Sequence, residues 1–342
     1  MNLADLNKVA KAMVAPGKGL LAADESSGTI KKRFDVIGVE STEDSRRDYR
    51  EMMFRAKDAM TKYISGVILY DETIWQKAKD GTPLVKLIEQ AGAIPGIKVD
   101  EGTQALTNCP GELITVGLDK LAERLKKYYD QGARFAKWRA VIDIGSGIPS
   151  FTAIHTNAHA LARYAALCQA AQIVPIVEPE VLMDGDHDID RCYEVTEFVL
   201  KETFQELYYQ RVALEGMILK PNMAIAGKKS AKQASVEDVA TRTVKLLKSC
   251  VPGAVPGIAF LSGGQSDEEA TAHLDAMNRI GGLPWPMTFS YGRALQAAPQ
   301  KAWSGKTENV ASGQQAFTHR AHMNSLASKG EWKADLETRK AA

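Results

Sequence analysis

Paired cysteines, a strong charge imbalance and long apolar runs are all missing from this 342-residue sequence. Its four cysteines lie far apart without a Cys-x-x-Cys pair, which argues against a disulfide framework or a zinc site and is typical of reduced thiols. A formal net charge of +1 does not favour nucleic acid or a membrane surface as a partner. No apolar run approaches membrane-spanning length, and the first residues lack a signal-peptide pattern. We therefore expect a soluble cytoplasmic protein.

The sequence motifs for metal and nucleotide binding are incomplete. Residues 184–190 resemble a calcium loop but lack its glycine and its final glutamate, so we expect an acidic helix start there. His155 and His159 have the i, i+4 spacing of a zinc-protease helix without its glutamate, and we expect them to line one helix face. Residues 227–230 lack the spacing of a nucleotide-binding P-loop.

Eight short apolar or β-rich runs recur along the chain. They are residues 19–24, 66–70, 94–99, 135–144, 173–177, 217–219, 257–261 and 287–291. Amphipathic helical patterns separate most of them, for example at 118–128, 187–210 and 236–247. Strands that alternate with helices pair in parallel, and eight units predict a (β/α)₈ barrel, although a doubly wound sheet gives a similar pattern. No histidine stands at any of the eight strand ends, which argues against a metal-dependent barrel lyase.

The domain organisation is expected to be simple. A length of 342 residues suggests about two domains, but α/β barrels commonly run this long as one. No linker, repeat or low-complexity tract divides the chain. We expect residues 1–342 to form a single barrel domain with a C-terminal tail from about residue 304. In that tail, residues 314–327 have a helical pattern, and residues 333–342 are charged and expected to be loose.

Lys220 stands between the short apolar run at 216–219 and Pro221. Proline has no N–H group, so regular strand pairing should stop there, and the lysine should lie where a buried strand opens into a loop. An amine in apolar surroundings loses its proton more easily and can then attack a carbonyl to form a Schiff base. Most lysines after a strand are merely solvated, so the interpretation depends on the other strand ends.

Charged side chains follow several other predicted strands. They are Asp24, Lys98 with Asp100, Lys137 with Arg139, and Glu178 with Glu180. Surface ion pairs would be an alternative explanation, but charges within apolar strands would be desolvated and need a partner or a function. Nearby cations disfavour a protonated Lys220, whereas nearby carboxylates favour it. The sequence leaves open which effect prevails.

Glycine-rich strand ends predict anion sites. After the seventh and eighth runs stand Ser262, Gly263 and Gly264, and then Ser290, Gly292 and Arg293. Glycines let backbone N–H groups approach a phosphate, and phosphate sites in barrels frequently follow strands seven and eight. Ser26, Lys32 and Arg33 could bind a second anion, and an exposed basic helix start explains them equally well.

Seven of these segments, in order, resemble class I fructose-bisphosphate aldolase. They are residues 21–26, 96–100, 136–139, 177–180, 219–222, 260–266 and 289–293. The resemblance runs from about residue 3 to residue 330. It implies a barrel, usually a homotetramer, that cleaves fructose 1,6-bisphosphate to dihydroxyacetone phosphate and glyceraldehyde 3-phosphate. It also implies a reaction without metal or other cofactor.

The resemblance assigns roles by position. Lys220 matches the Schiff-base lysine, Glu178 the acid/base, and Asp24 the carboxylate that takes part in C3–C4 cleavage, with Lys137 and Glu180 as supporting partners. Residues that match the C1-phosphate site are Ser262, Gly263, Gly292 and Arg293, and those around the C6-phosphate end are Ser26, Lys32, Arg33, Lys98 and Arg139.

One departure from the family pattern is the end of the chain. Many animal and plant members end in a tyrosine that helps to protonate the enamine, whereas the last tyrosine here is Tyr291. Two other interpretations are another Schiff-base barrel, such as a transaldolase or a keto-acid aldolase, and a catalytically idle scaffold. The two phosphate sites favour a bisphosphate substrate over a keto acid. The preference between fructose 1,6-bisphosphate and fructose 1-phosphate remains open.

Overall fold

A closed barrel of eight parallel strands forms the centre of the computed structural model, which describes residues 1–338. The barrel strands are β1 (Gly19–Ala23), β2 (Ile64–Leu69), β3 (Ile94–Lys98), β6 (Phe135–Ile142), β7 (Val174–Val181), β8 (Ile218–Leu219), β9 (Ile258–Phe260) and β10 (Met287–Tyr291). Their order around the ring is β1-β10-β9-β8-β7-β6-β3-β2. Closure confirms the predicted (β/α)₈ barrel over the doubly wound sheet. An antiparallel pair, β4 (Thr103–Ala105) and β5 (Leu113–Thr115), follows β3.

Each of the eight predicted runs overlaps a barrel strand, with small differences at the ends. Strand β2 begins at Ile64, two residues before the predicted run. Strand β7 continues to Val181, four residues beyond it, and stays extended through Pro179. Because side chains alternate along an extended strand, Glu178 and Glu180 lie on the same face.

Thirteen α-helices in the described part of the chain surround and extend the barrel. They are α1 (Leu3–Met13), α2 (Ser27–Val36), α3 (Glu43–Phe54), α4 (Lys57–Lys62), α5 (Asp71–Trp75), α6 (Leu84–Gln90), α7 (Leu121–Asp130), α8 (Phe151–Ala170), α9 (Ile189–Tyr209), α10 (Val236–Cys250), α11 (Asp267–Ile280), α12 (Arg293–Trp303) and α13 (Val310–Ala327). Three short 3₁₀ turns lie at Leu214–Gly216, Thr307–Asn309 and Ala334–Glu337.

The helical predictions are confirmed with shifted ends. Helix α7 begins at Leu121, so Leu118, which the pattern included, precedes it. The tail helix α13 begins at Val310, four residues earlier than predicted. The expectation of a loose segment from residue 333 is wrong for its first part, because Glu337 closes a short turn and forms an ion pair with buried Arg320. Residues 339–342 lie outside the described residues.

Short polar side chains cap five of the helices that follow barrel strands. Ser26, Ser150, Asp188, Ser235 and Ser266 each accept a hydrogen bond from the backbone N–H three residues later. Such caps satisfy N–H groups that have no partner within the helix. The acidic start predicted for α9 is confirmed, because Asp188 caps that helix.

The N-terminal helix packs against the interior of the barrel. Leu6, Ala10 and Met13 of α1 share one buried apolar cluster with inward-facing strand residues such as Phe135 and Ile218. The consequence is a solid apolar floor below the C-terminal mouth.

Gly96 of β3 allows Phe135 to fill this floor. A Cβ atom at position 96 would lie 2.2 Å from a ring carbon of Phe135, well inside van der Waals contact. We expect Gly96→Ala to lower the free energy of unfolding by about 3 kcal/mol through overpacking. Urea unfolding followed by circular dichroism measures this change.

Gly253 provides the matched control for that substitution. A Cβ atom there would meet only Pro284, at 3.8 Å, so Gly253→Ala should change the free energy of unfolding by less than about 0.5 kcal/mol. Equal effects of the two substitutions would contradict the packing explanation.

Candidate active site

A cavity of about 1380 Å³ opens at the C-terminal mouth of the barrel. The predicted site residues that line it are Asp24, Ser26, Lys32, Arg33, Lys98, Lys137, Arg139, Glu178, Glu180, Lys220, Ser262, Gly263, Ser290, Gly292 and Arg293. Gly264 does not line the cavity, and its N–H group lies 2.9 Å from the sulfur of Met183. Active sites of barrel enzymes lie at this end of the strands.

Lys220 follows β8 directly, and its side chain is buried. Its backbone N–H donates to the carbonyl of Val177 at 2.8 Å, which holds the residue against β7 after regular pairing ends. On β7, Glu178 is also buried, and its Oε1 lies 3.1 Å from Lys220 Nζ. Proton transfer between the amine and the carboxylate is possible at this distance.

Lys137 of β6 lies between two carboxylates. Its Nζ is 2.8 Å from Asp24 Oδ2 and 3.3 Å from Glu178 Oε2. Burial lowers the pKa of Lys137, but attraction to Asp24 and Glu178 outweighs burial and raises the pKa well above its ordinary value. Lys137 therefore remains a cation at neutral pH.

Asp24, at the end of β1, is ionised in this arrangement. Burial raises its pKa, but attraction to Lys137 and Lys220, together with the hydrogen bond from Lys137, lowers the pKa from 3.8 to about 2. Asp24, Lys137, Glu178 and Lys220 thus form a continuous row of alternating charges across the floor of the cavity.

Two further ion pairs lie above this row. Arg139 pairs with Glu180, and Lys98 Nζ lies 2.6 Å from Asp100 Oδ1. Burial lowers the pKa of Arg139, and attraction to Glu180 more than compensates, so that the pKa rises. The Arg139 side chain is still 40% exposed, which leaves its guanidinium accessible from the cavity.

One side of the mouth has the features of an anion site. Gly292 is the N-terminal cap of α12, so the positive end of that helix points towards the cavity. Arg293 donates a hydrogen bond to the carbonyl of Gly263 at 2.7 Å, which brings its guanidinium next to Ser262 and Gly263. The buried hydroxyl of Ser290 has no hydrogen-bond partner among the described residues, and a bound anion would supply one.

Other cations lie on the opposite side of the mouth. Strands β9 and β3 are four positions apart in the ring of eight, and so are β10 and β6. Lys98 and Arg139 therefore face Ser262 and Arg293 across the cavity. Ser26, the cap of α2, lines the same cavity together with Lys32 and Arg33. The arrangement suits an elongated molecule with an anionic group at each end.

A buried network behind Arg33 could not be read from the sequence. Glu25 forms an ion pair with Arg33 and accepts a hydrogen bond from Gln296 at 2.7 Å. Arg50, buried on α3, donates to the Glu25 carbonyl at 2.9 Å. The only sequence feature that pointed to this network is the position of Glu25 next to Asp24. Nothing in the pattern of α3 distinguishes Arg50 from the partly buried Arg46 and Arg47 on the same helix.

The chemistry of the site follows from these pairings. Asp24, Glu178 and Glu180 each lie against a lysine or arginine, which makes them poor ligands for a metal ion. A buried amine beside a carboxylate suits covalent attack on a carbonyl. The permanent cation Lys137 and the ionised Asp24 can stabilise charge and accept a proton from a hydroxyl group.

Comparisons with known proteins agree with this chemistry. The family model "Fructose-bisphosphate aldolase class-I" matches residues 5–342. A probable class 1 fructose-bisphosphate aldolase of Xanthomonas campestris is 59% identical over 97% of this chain and 100% of its own. A cytosolic fructose-bisphosphate aldolase of Arabidopsis thaliana is 54% identical over 94% of this chain and 82% of its own.

A solved structure is similar as well. The fructose-bisphosphate aldolase of Plasmodium falciparum, in complex with TRAP and a small molecule inhibitor, superposes with a TM-score of 0.96 at 48% identity. The match covers 97% of this chain and 96% of that one. The chain belongs to the class I fructose-bisphosphate aldolase family.

Proposed function

We propose that this chain cleaves fructose 1,6-bisphosphate reversibly to dihydroxyacetone phosphate and glyceraldehyde 3-phosphate through a Schiff base on Lys220. The buried Lys220 amine, 3.1 Å from Glu178 at the floor of the cavity, is the observation that carries the proposal. The reaction is metal-independent, as in class I aldolases generally, and serves glycolysis or gluconeogenesis.

Schiff-base formation needs one nucleophile and one acid/base. The neutral amine of Lys220 adds to the C2 carbonyl, and the carbinolamine then loses water to give a protonated imine. Glu178 is placed to take the ammonium proton from Lys220 and to return a proton to the departing hydroxyl. Lys137 is an unsuitable nucleophile because its two carboxylate partners keep it protonated.

Cleavage needs a base at the C4 hydroxyl. The ionised Asp24 removes that proton, the C3–C4 bond breaks, and its electron pair moves towards the imine to give an enamine. The aldehyde leaves first. Protonation of the enamine carbon by way of Glu178 or water, followed by hydrolysis of the imine, then releases dihydroxyacetone phosphate and restores Lys220.

Phosphate groups fix the orientation of the substrate. Ser262, Gly263, Ser290, Gly292 and Arg293 would hold the C1 phosphate next to the Schiff base. Lys98 and Arg139 would meet the C6 phosphate on the far side. Ser26, Lys32 and Arg33, which follow β1 between β10 and β2, would reach it from the side of the mouth. Gly264 would make no phosphate contact, because its N–H group faces the sulfur of Met183.

The family resemblance also suggests an oligomeric state and a cellular location. We expect a cytoplasmic homotetramer, which sedimentation velocity and cell fractionation would test. Among residues 1–338, no helix is both long and apolar enough to cross a membrane.

Borohydride reduction in the presence of dihydroxyacetone phosphate tests the nucleophile. We expect a stable adduct on Lys220, identified by peptide mass spectrometry. Lys220→Arg keeps the charge beside Glu178 but removes the nucleophile, so it should lose the adduct and reduce kcat on the order of 10⁴-fold or more. Lys137→Arg is the matched control and should retain the adduct on Lys220. An adduct on Lys137 in the Lys220→Arg variant would refute the assignment.

Comparing two substrates tests the phosphate assignments. Lys98→Met should lower kcat/KM for fructose 1,6-bisphosphate about 10- to 100-fold, the effect of one lost charge-assisted hydrogen bond. It should leave kcat/KM for fructose 1-phosphate nearly unchanged, because that sugar has no C6 phosphate. Arg293→Met should impair both substrates. Equal losses in the Lys98→Met variant would mean that Lys98 does not contact the C6 phosphate.

The ionised state of Asp24 should appear in the acid stability of the protein. A folded-state pKa of about 2, below the ordinary 3.8, adds about 2 kcal/mol to the free energy of unfolding above pH 4. This contribution is lost as the pH falls from about 4 to about 2. The stability difference between the parent and Asp24→Asn should therefore shrink over that range in urea unfolding.

Asp130→Asn, which changes an exposed carboxylate on α7, serves as the control for removing one negative charge. A difference between the parent and Asp24→Asn that stays constant from pH 6 to pH 3 would contradict the assigned pKa.

A further inference from the structure

Two histidines and two glutamates meet between α8 and α9, outside the cavity. His155 Nδ1 lies 2.6 Å from Glu202 Oε1, and His159 Nδ1 lies 2.7 Å from Glu206 Oε2. A third contact crosses between the pairs, with His155 Nδ1 at 3.7 Å from Glu206 Oε1. We call these four residues the His₂Glu₂ cluster.

The two helices present their side chains in register. The histidines are four residues apart on α8, and the glutamates are four residues apart on α9, so each pair projects from one helix face. Successive helices of a barrel run in the same direction, and each histidine faces the glutamate 47 positions later. His155 and His159 therefore lie on one face of α8, as expected, and each pairs with a glutamate of α9.

The donor atoms of this cluster suit a zinc ion. Imidazole nitrogen and carboxylate oxygen are both zinc ligands, with bonds of about 2.0–2.2 Å in tetrahedral geometry. Ligand atoms of His155, Glu202 and Glu206 all lie within 4.8 Å of one another, and His159 adjoins Glu206. Among the described residues, this is also where three such donors come together.

Burial is graded across the cluster. The side chain of Glu206 is only 6% exposed and that of Glu202 17%, whereas the two histidines are nearly half exposed. The two carboxylates are therefore held in place by the surrounding protein, and the two imidazoles are accessible to an ion from solvent. The ring of Phe151 stacks on His155 with centroids 5.4 Å apart, which restricts the orientation of that imidazole.

We propose that the His₂Glu₂ cluster binds one zinc ion and thereby joins α8 to α9. Zinc ligation needs an imidazole nitrogen and a carboxylate that carry no proton at the ligating atom, so protons compete with the ion and binding weakens as the pH is lowered. None of the four residues lines the cavity, and the ion has no part in Schiff-base chemistry.

Titration of the full-length, chelator-treated protein with zinc tests the proposal. We expect one zinc ion per chain by isothermal titration calorimetry and an increase in Tm on addition of zinc, because the ion binds the folded state. Cobalt, used as a spectroscopic probe in place of zinc, should give the visible absorption of a tetrahedral site. Magnesium, which prefers oxygen ligands in octahedral geometry, should give no shift in Tm.

Substitutions locate the ion. His155→Ala with His159→Ala should abolish zinc binding and the cobalt spectrum, and Glu202→Gln should weaken binding by about tenfold or more. His319→Ala is the matched control, since His319 also faces a glutamate, Glu337, but stands outside the cluster. It should bind zinc like the parent.

Two results would overturn the proposal. One is zinc binding that persists in the double histidine variant, which would place the ion elsewhere, for example on the free thiols. The other is an absence of binding in the parent protein, which would leave the cluster as a pair of hydrogen bonds between helices. Circular dichroism confirms that each variant is folded, and Glu202→Gln provides an independent test if the double variant is not.

Discussion

The alternation of buried charges at the floor of the cavity is the constraint on which the rest of the site depends. Desolvation of four charged groups would cost far more than the fold could supply if each stood alone. Arranged as Asp24, Lys137, Glu178 and Lys220, every charge has an opposite neighbour within about 3 Å. The same pairing divides the roles of the two lysines. Among residues 1–338, Lys137 forms ion pairs with two carboxylates and Lys220 with one.

Because the barrel is closed, strand ends four positions apart in the ring lie on opposite sides of one cavity. Seven strands supply the predicted charged and phosphate-binding groups, and the ring order alone brings the β9 and β10 loops opposite Lys98 and Arg139. A doubly wound sheet of the same strands would spread these groups along an edge. The fold therefore determines how far apart the two anionic ends of a ligand can be held.

Sequence periodicity predicted the strands and several helices, because burial and strand alternation leave a local signal. The strand ends and the family resemblance predicted fifteen of the residues that line the cavity. Prediction from the sequence failed where the determining contact is distant in sequence. Arg50 lies on a helix with other arginines, and only the packed structure brings it to Glu25. Gly264 belongs to the same glycine-rich turn as Gly263, yet a contact with Met183, about 80 positions earlier, takes up its N–H group. The extent of the tail helix depended likewise on packing against distant elements.

The apolar floor formed by α1 and the strand interior determines the route by which substrate, products and water reach and leave the active site. Because Leu6, Ala10 and Met13 belong to the same packed cluster as Phe135, the described residues close the lower end of the barrel. As far as residues 1–338 define the path, sugar, aldehyde, triose phosphate and the water expelled during imine formation all pass through the C-terminal mouth of the cavity. The molecule of water needed to free the last product has to re-enter past that product, so departure of the aldehyde makes room for it.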